Sequence, residues 1–595
     1  MKKSQTAIIL LIATFVLLRL LLISSQRDSI FDPNEFISGT IAMELIHGLS
    51  FPLKYCVPDN HNYGSVVNGI LIVPFYLLFG PSTASAKMVS ILFSLGTLIF
   101  WYLLLDRFFN HRVAVITSLL FIFSPIVYTK SSVLSVGAHP ETTFFTAITM
   151  FILYLIFFDN RKKNIYFALL GLVSGFGFFY SYLFGVTLLV VLIFWFVFDR
   201  RFVLRPEFYI FLIFLLIGFS PRLYFTAGFK GAYRGILWFT GETFRWGDIS
   251  FDYILFKTRR FLINDMVRLF DFRHPPFFFR YLYYSLFLIS TLLLLQFKNK
   301  CLAYKEALLL VFPFVFSMVY ILSRYAIFKN WSCAGYIVPL YPFIFVIIAV
   351  FFERLMRAKY VLIKILSAVV LCLILLAGLY GNIDLIGFKK IGQGFIYKGY
   401  SYRLFGERVS STNFGNKKFL KIIKNMEFPK RQYFLEGFGW SISSARSLYA
   451  VEEDMKRFSF SKVDRLHYFK GMGRGLAHLM SLRLCGKKDT FVSPYVLTPC
   501  FSVFKHIAKN HEEEQRYFWE GFGQGLDLSS DTIEVIKDHI EDRFKPYLYQ
   551  GLGDAVAEVF SEQKPLLHEF DSRYRKYIHS AYSKARSELL LKGHI

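Results

Sequence analysis

The sequence predicts an α protein in two parts: a polytopic helical membrane domain over residues 1–384, with about eleven spans, and an α-helical, repeat-like soluble domain over residues 385–595. Three observations carry this. The 595 residues are 55% hydrophobic and only 18% charged, with a mean hydropathy of +0.44, which a water-soluble globular chain does not sustain. Basic residues gather in short clusters between apolar runs. After residue 385 the hydropathy falls and one aromatic–glycine motif recurs. The formal charge of +26 raises nucleic acid as a partner, but its placement between apolar runs assigns it to membrane anchoring instead.

The first apolar run, from about residue 6 to 24, follows Met1-Lys2-Lys3 and lacks a small-x-small cleavage site, so it reads as a retained span. Further runs lie near 66–80, 87–105, 113–128, 142–158, 165–182, 184–198, 208–226, 278–297, 307–323, 333–352 and 360–380. The run at 66–80 is the weakest: it is short, carries Asn68 and Pro74, and ends in Phe79-Gly80-Pro81. With that run placed in the outer interface, the basic clusters fall on one side. These are Lys2-Lys3, Arg107 to Arg112, Arg161 to Lys163, Arg200 to Arg205, Lys298 to Lys305 and Arg354 to Lys359. That is the positive-inside pattern. It turns the loops 25–86, 129–141, 228–277 and 324–332, and everything after 381, to the outer face.

The first outer loop begins Phe31-Asp32-Pro33-Asn34-Glu35 and continues into an apolar-biased stretch ending at Gly48, expected as an amphipathic helix on the membrane surface. Asp32, Pro33 and Glu35 form a capping pattern that stability alone would explain. Asp32 also stands at the water–lipid boundary, where a carboxylate can take a hydroxyl proton as general base. The second outer turn carries Lys130, His139 and Glu141. An acidic residue at the end of a span needs water or a partner. With Glu35 and His139, Glu141 could complete an oxygen/nitrogen site for a divalent cation, against ordinary interfacial polarity as the plainer reading. No other cofactor is indicated. Lys130, Arg222, Arg324 and Lys329 lie at outer span ends, against the charge rule; they suit the phosphate of a lipid, with snorkelling as the alternative for Lys329.

These residues resemble the GT-C superfamily of membrane glycosyltransferases, in the branch holding protein O-mannosyltransferases and the lipid A aminoarabinose transferase. Three features carry the resemblance. One is the short first span followed by Asp32-x-x-Glu35 and a helix closed by Gly48. Another is Asn68 to Pro81 with Ala86-Lys87-Met88-Val89-Ser90 after it. The third is Ser124-Pro125 ahead of the acidic second loop. The resemblance spans residues 1–380. It implies a polyprenyl-phosphate sugar donor, Asp32 as catalytic base, and Glu141 at the second acidic position. Relatives often have adjacent acids in the first loop and Asp in the second, where this chain has Pro33-Asn34 between acids and Glu141.

The C-terminal third repeats Tyr433-Phe434-Leu435-Glu436-Gly437-Phe438-Gly439 at Tyr468 to Gly475, Tyr517 to Gly525 and Tyr549 to Gly553. Starts roughly 30 to 50 residues apart suit helical arrays. A nucleotide-binding glycine loop is excluded because no strand precedes it and one site needs no four copies. Glycines in repeated helices serve close helix–helix packing. Cys485 and Cys500 could pair in an oxidising compartment, which spacing alone does not establish.

The expectation is therefore a glycosyltransferase, hexosyl or pentosyl, of the bacterial inner membrane with its C-terminal domain extracytoplasmic. It would take sugar from a polyprenyl-phosphate donor and pass it to a lipid, glycan or protein acceptor by an inverting displacement, with Asp32, Glu35 and Glu141 as catalytic acids. Two rivals stand against it. A transporter or flippase requires mid-membrane polar groups and inverted repeats. A non-catalytic scaffold would work through its helical repeats.

Overall fold

The computed structural model describes residues 2–25, 29–30, 35–49, 63–159, 163–227, 250–271, 278–296, 300–323, 336–387, 395–396, 400–408, 417–428, 430–445, 460–485, 511–526, 540–559 and 572–591. Helices form where the apolar runs lie. In chain order they are α1 (Lys2–Ser25), α2 (Glu35–Ile46), α3 (Tyr63–Phe79), α4 (Thr83–Phe108), α5 (His111–Ile122), α6 (Ile126–Ser131), α7 (His139–Phe157), α8 (Asn164–Tyr180), α9 (Phe184–Phe198) and α10 (Pro206–Ala227). They continue with α11 (Phe251–Arg260), α12 (Met266–Leu269), α13 (Phe278–Gln296), α14 (Lys300–Leu322), α15 (Tyr341–Met356) and α16 (Val361–Gly387). The last third holds α17 (Tyr400–Arg408), α18 (Lys417–Asn425), α19 (Lys430–Ala445), α20 (Lys462–Cys485), α21 (Glu512–Gly525), α22 (Lys545–Val559) and α23 (Ser572–Leu591). The α class is thus as the sequence predicts. The strands among the described residues are two two-residue pieces, Ser29–Ile30 and Phe395–Ile396, paired antiparallel.

The chain divides into two compact units, one of residues 1–26, 53–72 and 84–388, the other of 27–52, 73–83 and 389–595. In the first unit, α15 is the central helix. From Val338 to Val350 it is buried without interruption, so it meets protein on every side. Rings lock it in place: Phe343 stacks on Phe312 at 4.1 Å and meets Trp101 edge-on at 5.1 Å, while Phe345 lies 5.2 Å from Phe121. Helix α8 lies directly against α10, because a side chain at Gly171 or Gly175 would overlap the carbonyls of Phe211 and Leu215. Small residues four apart let backbones approach in this way inside membranes, where lipid removes the hydrophobic drive between helices.

Six described helices are long and apolar enough to cross a membrane: α1, α4, α7, α10, α15 with its leading turn, and α16. Shorter apolar helices, among them α3, α5, α8, α9, α13 and α14, occupy the remaining apolar runs. The run 113–128 is not one helix. Pro125 lacks an N–H and biases Ser124 away from helix, so α5 stops at Ile122 and α6 starts afresh at Ile126. Leu362, Ile365, Leu366, Leu373 and Leu376 of α16 are exposed, an apolar face suited to acyl chains.

In the second unit, α2 departs from the amphipathic surface helix expected. Ile37, Ser38, Thr40, Ile41, Ala42, Met43 and Glu44 are all buried, leaving no solvent face along the middle of the helix. Its non-apolar positions are mostly small hydroxyls and glycine rather than charges, so the whole circumference can be covered. Gly48 ends this segment with φ +59°, the left-handed conformation that closes helices, and its carbonyl accepts from Lys418 Nζ at 3.3 Å. The His47 ring stacks on Phe405 of α17 at 5.6 Å.

Helices α17 and α19 to α23 stack in sequence order. Two pairs fix the direction between α20 and α21: Lys462 meets Glu513 at 2.6 Å near both starts, and Arg474, midway along α20, meets Gly525 at the end of α21. These two helices are therefore parallel, as are α19 and α20, where Gln432 and Glu436 meet His467 and Glu436 meets Gly471, and α21 and α22, where Glu512 meets Arg543 and Gln524 meets Asp554. A Cβ at Gly437, Gly471, Gly521 or Gly551 would overlap a backbone carbonyl of the preceding helix, and one at Gly439, Gly473 or Gly523 a carbonyl of the next. The repeated glycines are the surfaces through which these helices touch.

Candidate active site

In the first unit, α6 and α7 are joined by the turn 132–138, and buried polar side chains anchor both ends of it. At the α7 end, Glu141 lies in the first turn of the helix and is 1% exposed. Its Oε1 accepts from Asn68 Nδ2 at 2.8 Å and from the Gly137 N–H at 3.0 Å; Oε2 accepts from the Ala138 N–H at 3.2 Å. The carboxylate therefore satisfies donors that a helix start leaves unpaired. Asn68 in turn accepts the Tyr180 hydroxyl at 2.6 Å. Ser65 Oγ donates to the Val136 carbonyl at 2.9 Å, and Gly137, with φ +71°, passes so near Gly64 that neither position has room for a side chain.

At the α6 end the anchor is Arg19, fully buried in the first span. Nε donates to Ser132 Oγ at 2.7 Å and Nη1 to Asn382 Oδ1 at 2.8 Å, while Nη2 reaches the Phe121 and Ile122 carbonyls at 3.4 and 3.5 Å. No carboxylate faces it among the described residues. Its charge lies against the C-terminal carbonyls of α5, the negative end of that helix. Ser94 Oγ adds a hydrogen bond to the Ser132 carbonyl at 2.8 Å. The turn is thus held directly from α1, α3 and α4, while Tyr180 of α8 and Asn382 of α16 brace Asn68 and Arg19.

Of the residues singled out from sequence, Lys130, His139 and Glu141 bracket this turn. Lys130 is half-buried in α6 and His139 opens α7. Arg222 is half-buried in α10, directly after Pro221. Glu35 opens α2 and is buried in the second unit. Asp32, Arg324, Lys329 and Cys500 lie outside the described residues. For a divalent cation, Glu141 is a poor donor here, since three of its roughly four lone-pair directions already accept hydrogen bonds. No group of three His, Cys, Asp or Glu among the described residues could hold a metal ion.

Sequence reasoning passed over Arg19, and took Asn68 and Lys87 only as part of a weak apolar run and of the resemblance, with no role of their own; Lys87 is 1% exposed in α4. The available signal was a polar residue inside an apolar run, which marks function or a buried partner by default. It also passed over the cluster at 250–271. There Lys257 lies over the rings of Tyr253 and Tyr320, at 5.8 and 5.7 Å, and the Tyr320 hydroxyl donates to Asp265 at 2.9 Å. Burial pushes the Lys257 ammonium down to about 8 against the pull of Asp265. Burial likewise raises the Asp265 carboxyl, opposed by the Tyr320 hydrogen bond and by Arg260, Arg268 and Lys257. Asp265 ends a π-helical turn, Phe261–Asp265, a distortion common at functional sites.

Residues 66–225 match the family model described as dolichyl-phosphate-mannose-protein mannosyltransferase. That segment contains Asn68, Lys87, the turn 132–138, Glu141 and Arg222. Two solved structures are similar: ArnT from Cupriavidus metallidurans bound to undecaprenyl phosphate, and the same protein in the apo state. The first is 11% identical with a TM-score of 0.42, covering 89% of this chain and 88% of that one. The second is also 11% identical with a TM-score of 0.42, covering 97% and 85%. No curated protein matches. The family match supports the resemblance to GT-C membrane glycosyltransferases over residues 66–225.

Proposed function

We propose that the chain transfers a sugar from a polyprenyl-phosphate donor to an acceptor hydroxyl on the extracytoplasmic face of a bacterial inner membrane. The family match over residues 66–225 carries this reading, because it covers the anchored turn, Lys130 next to it and Arg222. Asp32 takes the acceptor's hydroxyl proton. The acceptor oxygen bonds to the anomeric carbon as the bond from that carbon to the phosphate oxygen breaks, so the configuration inverts and polyprenyl phosphate leaves. Lys130, Arg222, Arg324 and Lys329 hold the leaving phosphate, whose charge grows as the bond breaks. Glu141 keeps the turn that follows Lys130 in shape, and Glu35 supports the first loop. No step is routed through a metal ion.

Asp32→Asn tests the central role, since Asn caps a helix nearly as well as Asp but takes no proton. With purified protein and polyprenyl-phosphate sugars, transfer should fall by roughly a hundredfold or more while the melting temperature holds. Equal transfer by both proteins sinks Asp32 as the base. Lipid moved between leaflets without bond cleavage would favour the flippase instead.

A further inference from the structure

The first outer loop is held at both ends by the C-terminal third, and by well-separated parts of it. At its start, Ser29 and Ile30 pair antiparallel with Ile396 and Phe395, and that second strand lies against α22. At its end, α2 lies against α17, where the His47 ring stacks on Phe405 and the Gly48 carbonyl accepts from Lys418. Among the described stacked helices, α17 is the first and α22 the fifth. One short segment, residues 29–48, is thus tied to both.

The grip at the α17 end stands on a fixed base. Phe405 is fully buried and lies 5.3 Å from Phe434 of α19, which also meets Phe419 of α18 at 5.9 Å. Lys418 is exposed, but it is the neighbour of the fully buried Phe419, so its stem leaves from an anchored point. Its amine reaches the carbonyl at which the chain leaves α2 in a left-handed turn. Between the two grips stand Asp32 and Glu35. Asp32 is two residues beyond Ile30 and three before Glu35, and Glu35 opens α2 itself. A shift of either grip therefore reaches these acids through very few peptide units.

We propose that the helical array is the mount of the first outer loop, with His47 and Lys418 as positioning residues for its acids. The link to chemistry rests on the transferase reading. The array works on its own chain: it replaces the freedom of a surface loop by a preset geometry, on which proton transfer at the acceptor hydroxyl depends. Loosening the mount lowers kcat and spares the donor KM, because the cations that hold the phosphate are left as they were.

The test uses full-length protein in nanodiscs, with undecaprenyl-phosphate mannose, glucose and arabinose tried in turn and total membrane extract as acceptor. Hydrogen exchange over residues 36–48 is followed on the same samples. His47→Ala and Lys418→Met should each lower kcat roughly three- to tenfold, with the donor KM within about twofold of wild type. His47→Phe restores a flat ring and Lys418→Arg a donor, and each should recover most of the loss. Exchange over 36–48 should quicken in the Ala and Met variants while α4 and α15 keep their protection, which separates a loosened loop from a failing fold. Exchange as slow as wild type in both variants overturns the mount, whatever the transfer assay gives. It would leave Tyr76, whose hydroxyl fills the space at Gly39, as the support of α2. Faster exchange with kcat unchanged, or a loss carried by KM alone, overturns the positioning role. A wild type that transfers from none of the donors sinks the transferase reading, and exchange then decides the mount by itself.

Discussion

Asn68 shows how one polar side chain inside an apolar run can organise a site. Its amide donates to Glu141 and its carbonyl accepts from Tyr180, so both ends are used and each neighbour depends on it. In Asn68→Leu the Tyr180 hydroxyl and a Glu141 oxygen lose a partner in a buried place, and the protein should be destabilised by about 1–3 kcal/mol for each. Adding Tyr180→Phe removes one of those orphans, so the double variant should recover part of the loss; a double variant no more stable than Asn68→Leu contradicts the coupling. Arg19 belongs to the same scale. Arg19→Lys keeps the charge but gives up the planar fork that spans Ser132, Asn382 and the α5 carbonyls. Thermal unfolding should fall by several degrees and transfer should fall with it. Neither residue was legible as an anchor in sequence. A polar residue in an apolar run says that a partner exists, while the partner's identity depends on contacts between positions 67 to 363 residues apart.

Among elements, the repeat glycines were the most legible, because glycine beside aromatic anchors at a constant offset has few uses besides close packing. Gly473 packs where α20 meets α21, and its Cβ would overlap the Phe518 carbonyl. Gly473→Leu should push the two helices apart at a cost of about 1–3 kcal/mol or more. Hydrogen exchange should speed up in both helices, and unchanged protection would show that they do not touch there. The break between α5 and α6 was missed, because 113–128 reads as one apolar run, although Pro125 marks the place. The burial of α2 was not legible either, since apolar bias with small polar residues fits a surface helix and a buried one equally. Helix α11 escaped notice because its pattern is inverted: Lys257 is buried while Phe251, Leu255 and Phe256 are exposed. A charge is ordinarily read as the solvent face; here it lies over two rings, and the apolar side is left for lipid.

Over the whole molecule, the sequence distinguishes the two units by what holds them together. In the first, apolar surface is everywhere and hydrogen bonds between buried polar groups select the arrangement. In the second, buried charges alternate from helix to helix, and its stability should therefore depend on acid. Burial pushes the Glu436 carboxyl up, but Arg403, the His467 hydrogen bond and Lys470 outweigh it and hold the carboxyl well below the usual range. A carboxyl depressed in the folded state contributes stability that is fully present above its unfolded value, about 4.3, and is lost as pH falls below that value towards the folded one. The array should weaken below about pH 4, with this one group contributing at most about 1.4 kcal/mol per pH unit. Hydrogen exchange on α19 and α20 between pH 3 and 6 measures it. Glu436→Gln should be less stable at neutral pH, because Arg403 and Lys470 lose a buried counter-charge, yet flatter with acid. If the variant weakens with acid as steeply as wild type, the ladder is not what makes the array sensitive to protons.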